Sequence, residues 1–129
     1  MAVLVTGGAG YIGSHMVLAL ADAGEEVVVA DNLSTGFAWA ISPKARLAQG
    51  DIGDEDFLTR LMSETWFDTI VHFAGSIVVP DSVSDPLGYY NNNTVKSRLL
   101  MECAVKAGIR NFIFSSTAAV YGNPEMLPV

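Results

Sequence analysis

The sequence predicts an α/β fold, an open parallel sheet with helices on both faces. Three observations carry that expectation. Short apolar, β-branched runs alternate with segments of helical periodicity. The connections between them are short. The second run, EVVVA at 26–30, is a continuous valine stretch of the kind that suits a sheet covered on both sides.

The elements follow in order. Residues 2–6 (AVLVT) read as a buried strand. Gly7, Gly10 and Gly13 follow at three-residue spacing, and from Tyr11 onward Ile12, Met16, Val17 and Leu20 fall on one helical face. That helix ends near Gly24, a C-cap. Strand 26–30 leads into a polar loop, Asp31-Asn32-Leu33-Ser34-Thr35-Gly36, and then an irregular stretch in which Pro43 argues against a long helix. A weak third strand, 46–49, ends in Gly50-Asp51-Ile52. Asp54 N-caps a helix to about Glu64, with Phe57, Leu58 and Leu61 inward. The fourth strand is 69–73 (TIVHF). A loop with Pro80 and Pro86 leads into a long helix from about residue 86 to 107, whose core face is Val95, Leu99, Cys103 and Ala107, with Gly108 as cap. Residues 111–115 (NFIFS) form the fifth strand. The tail, STAAVYGNPEMLPV, reads as a loop with one helical turn.

Right-handed crossovers put these strands in the order 3-2-1-4-5, a Rossmann-type doubly wound sheet that is incomplete at its C-terminal edge. An edge of that kind invites association. No repeat or internal boundary is visible, so residues 1–129 read as one domain. Half the residues are hydrophobic and the formal net charge is −7, with the basic residues scattered, which argues against nucleic acid and against an anionic membrane surface. Cys103 is the single cysteine, so a reducing, cytoplasmic compartment is expected, and Cys103 itself reads as core. The N-terminal apolar run has no basic flank and reads as a strand rather than a leader. With one Cys and no clustered His, no metal site is expected. His15 and His72 read as structural, and Tyr89 and Tyr90 as packing residues.

Ligands in such sheets bind beyond the carboxyl ends of the strands, where the winding reverses between strands 1 and 4. A strand, a glycine turn and a helix start are what a dinucleotide pyrophosphate needs. Gly7 permits a tight turn, Gly10 allows close backbone approach, and Gly13 allows close helix packing. The free N–H groups and positive dipole end of the helix face the anion. Asp31, eighteen positions after Gly13, is placed to take the ribose hydroxyls, and its charge, with no Lys or Arg between it and Lys44, favours NAD over NADP. The bland alternative is a solvated turn aspartate. Asp51 and Ile52 fit either an adenine contact or a helix-flanking role. Phe73, Ala74 and Gly75 permit close approach to the nicotinamide half. Asparagine is a poor interior helix former, so Asn91-Asn92-Asn93 implies that at least one side chain serves the cofactor or a neighbouring loop. Ser115, Ser116 and Thr117 put hydroxyls at the edge of strand 5.

The segments TGGAGYIGSH, VVVADNLSTG, GDI, VHFAG, YYNNNTV and FIFSSTAAVYGNP together resemble the extended short-chain dehydrogenase/reductase family, nearest its nucleotide-sugar epimerases, over the whole chain. The resemblance implies tightly bound NAD, recycled within each turnover. It implies transient oxidation at sugar C4, which interconverts UDP-galactose and UDP-glucose. By position it implies that Tyr11, Ile12, Asp31 to Gly36, Asp51, Ile52, Phe73, Ala74, Gly75, Ser76, Ile77 and Asn92 line the cofactor. Thr117 takes the place of the catalytic Ser/Thr. It also implies a homodimer for the complete enzyme.

Two departures stand out. Ile77 occupies a place where such epimerases often carry lysine. The family's Tyr-x-x-x-Lys pair is missing: four residues before Lys44, Lys96 and Lys106 lie Ala40, Asn92 and Glu102. The resemblance therefore implies an N-terminal, cofactor-holding part, with the catalytic pair and sugar-nucleotide domain beyond residue 129. The rival readings are a nucleotide-sugar dehydratase or decarboxylase, and a non-catalytic NAD-binding regulatory module. The dehydratases add an acidic pair beside the hydroxyl, whereas Thr117 is followed by Ala118 and Ala119.

Overall fold

The computed structural model describes residues 1–126; the last three residues of the tail lie outside it. Five parallel strands form one sheet in the order β3-β2-β1-β4-β5. They are β1 (Ala2–Thr6), β2 (Glu26–Asp31), β3 (Arg46–Gln49), β4 (Thr69–His72) and β5 (Asn111–Phe114). Helix α1 (Tyr11–Asp22) connects β1 to β2, and α2 (Glu55–Glu64) connects β3 to β4.

Strand side chains alternate between the two faces, and the core divides accordingly. Val3, Val5, Val27, Val29 and Val71 pack with Val17 and Ala21 of α1. Leu4, Val28, Ala30 and Ile70 pack with Leu58 and Leu61 of α2 and with Leu100, Cys103 and Ala104 further on. The sheet is thus doubly wound, with β1 buried along its whole length at the centre. Gly24 and Gly108 take left-handed conformations (φ 85° and 75°) where the flanking helices end. Asp54 caps α2, its Oδ1 accepting the Phe57 N–H at 3.0 Å.

The segment after β4 departs from expectation. Pro80 reads as a loop residue, yet it stands in the first turn of a short helix, α3 (Val79–Ser84), while Pro86 opens α4 (Pro86–Tyr90) at the expected helix start. A first-turn N–H has no intrahelical acceptor, so proline is tolerated there. Asp85 N-caps α4, accepting the Gly88 N–H at 3.0 Å. A five-residue π turn, Asn91–Val95, then joins α4 to α5 (Lys96–Lys106). The wider turn adds a residue and rotates the helix face. Val95, expected in the core, is 42% exposed, whereas Leu100, Cys103 and Ala104 are buried. Leu99 and Ala107 lie at the margin of that core. In α1, Ile12 and Met16 are likewise exposed, and the buried stripe is Gly13, Val17 and Ala21.

β5 is the edge strand beside β4, and its Ile113 and Phe114 are 55% and 62% exposed. Among the described residues no helix is long and apolar enough to cross a membrane.

Leu100→Ala is expected to lower the unfolding free energy by roughly 2–5 kcal/mol, the cost of a core cavity. Val105→Ala, on the outer side of the same helix, should change it by less than about 0.5 kcal/mol. Urea denaturation of the two variants checks the contrast.

Candidate cofactor site

β1 and β4 are neighbours, so the loops that leave their carboxyl ends share one narrow space. Gly7 adopts φ 71°, and a Cβ there would stand 2.6 Å from the Ala74 nitrogen and 2.8 Å from the Phe73 carbonyl carbon. Any side chain at residue 7 would collide with backbone. Gly13 is pinned from the other side: its Cβ would lie 2.2 Å from the Gly7 oxygen. The close packing expected of Gly13 is therefore against the turn at Gly7 and Gly8 rather than against strand β1. Gly8, which sequence reasoning passes over, packs under Val29 and Val17.

Gly10 is different. It N-caps α1 at φ −78°, and a Cβ there would meet only the Gly7 oxygen at 3.4 Å, an ordinary contact. It supplies no side-chain acceptor, and the first turn of α1 holds no carboxylate. The helix start is thus an open, positively polarised surface of N–H donors bordered by a residue without a side chain. An anionic pyrophosphate fits such a cradle. Tyr11 stands beside it, exposed, with its ring edge-on to His15 at 4.9 Å. His15 is correspondingly a surface residue.

Asp31 ends β2 next to this turn. Its Oδ2 accepts the Ala9 N–H at 2.9 Å, and its Oδ1 accepts the Leu33 N–H at 2.8 Å. The second contact holds Leu33 at φ 57°, a strained conformation for leucine. Each carboxylate oxygen has two lone pairs, so both keep capacity for a ribose hydroxyl. The 31–36 loop folds back onto the glycine turn, with the Phe37 N–H donating to the Ala9 carbonyl at 3.1 Å and Gly36 packed on Ala9. Ser34 and Thr35 are exposed.

Asp51 lies across from that loop. Its Oδ2 accepts Asn32 Nδ2 at 2.9 Å and Lys96 Nζ at 2.8 Å, and its Oδ1 accepts the Gly53 N–H at 2.7 Å. Burial pushes its pKa up, but the bonds from Lys96, Gly53 and Asn32 outweigh that and hold the carboxyl below its ordinary value. Ile52 turns its side chain into the core, which leaves only its backbone for a ligand.

On the β4 side, Phe73 and Ala74 are half-buried, whereas Ile77 is 87% exposed. Residues 75–76 are held by the asparagines of the π turn. Asn92 Nδ2 donates to Ser76 Oγ at 2.9 Å. Asn93 pairs with the Ser76 backbone in both directions, its Oδ1 accepting the N–H at 2.7 Å and its Nδ2 donating to the carbonyl at 2.9 Å. The sequence implies a task for this triplet, and the family resemblance points to Asn92. Asn93, which makes the stronger tether, is legible there only as one of three poor helix formers. Tyr89 also ties the region together, its hydroxyl donating to the Val78 carbonyl.

Beneath this loop runs a buried polar chain. His72 Nδ1 lies 2.6 Å from Thr6 Oγ1 and its Nε2 lies 2.8 Å from Ser97 Oγ. Ser97 donates its proton to the Asn93 carbonyl at 2.7 Å, so it accepts from Nε2–H, and Nδ1 accepts from Thr6. Burial lowers the His72 pKa to about 4. Thr117 follows β5 and is exposed, and its carbonyl accepts the Val120 N–H at 3.2 Å.

An open parallel sheet with a glycine turn and a bare helix start at its switch point defines the dinucleotide-binding class of doubly wound proteins. Residues 3–128 match the NAD dependent epimerase/dehydratase family, and the chain belongs to it. It is 54% identical over 127 residues to the UDP-glucose 4-epimerase of Azospirillum brasilense, covering 98% of this chain and 36% of that protein. It is 51% identical to that of Lacticaseibacillus casei, covering 100% and 39%. The chain thus spans less than half the length of these curated relatives. The crystal structure of UDP-glucose 4-epimerase from Brucella ovis in complex with NAD superposes with a TM-score of 0.91 at 42% identity, covering 99% of this chain and 39% of that one. The Bifidobacterium longum enzyme in complex with NAD+ and UDP gives 0.92 at 36% identity, covering 100% and 41%.

The buried histidine sets an acid limit. In the native state His72 titrates at about 4, against an ordinary 6.5, so the folded form binds fewer protons between those values. Its full contribution is present above pH 6.5 and is lost as the pH falls towards 4, by up to about 3 kcal/mol. Asp51, held below its ordinary 3.8, adds its own loss only at still lower pH. Urea midpoints measured across this range should fall, and His72→Gln should be less stable at pH 7 but flatter between pH 6.5 and 4.

Proposed function

We propose that this chain is the NAD-binding part of a UDP-glucose 4-epimerase, whose complete form interconverts UDP-galactose and UDP-glucose. The observation that carries the reading is the helix start at Gly10: open at the Cβ position, with no acidic residue in the first turn of α1, and set at the switch point of the sheet. Similarity to relatives named as this epimerase supports the choice of substrate.

In this reading the pyrophosphate lies against Gly7, Gly10 and Gly13 and takes the N–H groups of Tyr11 and Ile12. Asp31 accepts the adenosine ribose hydroxyls through its remaining lone pairs and repels a 2′-phosphate, which selects NAD over NADP. The 31–36 loop (Asn32, Leu33, Ser34, Thr35, Gly36), with Asp51 and the Ile52 backbone, borders the adenine. Phe73, Ala74, Gly75, Ser76, Ile77 and Asn92 border the nicotinamide half. A dinucleotide held there would supply a reversible hydride acceptor for sugar C4. Thr117 hydrogen-bonds the C4 oxygen and orients it. General acid–base transfer at that oxygen needs a positioned proton carrier. These 129 residues hold no Tyr-x-x-x-Lys pair to supply one. The sugar-nucleotide domain is likewise expected outside them, and the complete enzyme is a cytoplasmic homodimer by the same resemblance. Ala118 and Ala119 after Thr117, in place of an acidic pair, favour epimerase over dehydratase.

Isothermal titration should show NAD bound more tightly than NADP. Gly10→Ala should leave the melting temperature nearly unchanged, because its Cβ meets ordinary contact, yet weaken NAD by about tenfold or more, since a methyl then stands where phosphate approaches. Gly13→Ala should instead unfold or strongly destabilise the chain. A Gly10→Ala variant that binds NAD as well as the unaltered chain would sink the reading. The purified 129-residue chain should not convert UDP-galactose to UDP-glucose, and measurable turnover would refute the division of labour.

A further inference from the structure

The segments that border the adenosine end are far apart in sequence and meet at one carboxylate. Asp51 takes Asn32 from the β2 loop, Gly53 from its own loop and Lys96 from the first residue of α5. Asn32 in turn braces the 31–36 loop, its Oδ1 accepting the Ser34 N–H at 3.0 Å. Lys96 reaches in with its stem lying over Gly53. A Cβ at residue 53 would stand 2.9 Å from Lys96 Cε and 3.0 Å from Cδ, so the glycine makes room for this lysine. The pair is partly shielded, with side-chain exposures of 22% for Lys96 and 35% for Asp51.

The charges explain why a cation is needed. Asp31 and Asp51 stand on adjacent loops at the carboxyl ends of β2 and β3, in a chain with a net charge of −7. A phosphate-bearing ligand has to approach that edge. Without the ammonium, Asp51 is an uncompensated carboxylate that repels both Asp31 and the ligand. It also loses one of the three bonds that fix its orientation, and Asn32 loses a rigid acceptor.

We infer that Lys96 is a positioning residue for the adenosine half of the dinucleotide, acting from α5 through Asp51 on the 31–36 loop without touching the ligand. This rests on the cofactor reading proposed above. A lysine at this place is not one of the glycine-turn or Asp31 features that announce the site. It comes from far along the chain, 45 positions after Asp51, where helix α5 begins after the π turn.

The test is titration of the purified chain with NAD and, separately, with AMP, which carries the adenosine half alone. Melting temperatures are measured alongside. Lys96→Met keeps the stem over Gly53 and removes the charge. It should keep the melting temperature within a few degrees and weaken NAD and AMP by the same factor, about tenfold. Lys96→Arg should recover most of that loss, because it keeps a charged donor at similar reach. Should the Met variant fail to fold, Lys96→Gln carries the same comparison with a neutral donor, and an equal loss for NAD and AMP is again expected. Variants that bind both ligands as the unaltered chain does, or that weaken NAD while leaving AMP unchanged, overturn the inference and leave the cofactor reading standing. An unaltered chain that binds neither ligand overturns both.

Discussion

Where β1 and β4 lie side by side at the centre of the sheet, three stretches of backbone meet with no room for a side chain between them. The turn at Gly7 presses on the peptide joining Phe73 to Ala74, and the first turn of α1 presses on Gly7 through Gly13. Everything at the ligand edge depends on this contact. It sets the height at which α1 starts, and hence where its unpaired N–H groups emerge. It also brings the β4 loop against the glycine turn, so that both halves of an extended ligand can be served from one crevice. Gly10 stands outside the contact, which separates its role from that of the other two glycines: they are required by the protein's own packing, whereas Gly10 leaves space beside the helix start.

A second organising element is the π turn and the start of α5. Within six positions, Asn92 and Asn93 hold Ser76, Lys96 holds Asp51, and Ser97 holds His72. One stretch of helix therefore braces the rim on both sides of the switch point. The bracing is polar, exposed at Asn93 and buried at His72, and among the described residues no buried side-chain nitrogen or oxygen lacks a hydrogen-bond partner. Such networks hold geometry tightly when every member is satisfied, because a broken link leaves a polar group stranded in a poorly solvated place. His72 shows what this entails. It serves as a neutral link between Thr6 and Ser97, and burial suppresses its charge.

Much of this is legible in the chain itself. The strands and the caps at Gly24, Asp54 and Gly108 follow from periodicity and local chemistry, since each depends on residues close in sequence, and the strand order follows from the handedness of the crossovers. The departures share a cause: local pattern does not fix where a helix begins or which way its faces turn. Pro80 reads as a loop residue because a proline's effect depends on whether it falls in the first turn of a helix or later. Counting fours places Val95 in the core, but the count runs through a segment whose helix widens by one residue. Ile52 sits in a motif that looks ligand-facing, yet its side chain joins the core beneath α2.

The fold class and the family are legible in the chain alone, because the three glycines, Asp31 and the alternating apolar runs are local patterns with few physical solutions. Which polar residues hold the rim is settled by long-range packing. Asn93 against Ser76 and Lys96 against Asp51 are pairings across 17 and 45 positions. No local spacing encodes them. They exist because parallel crossovers deliver the start of α5 to the same edge of the sheet as the β3 and β4 loops.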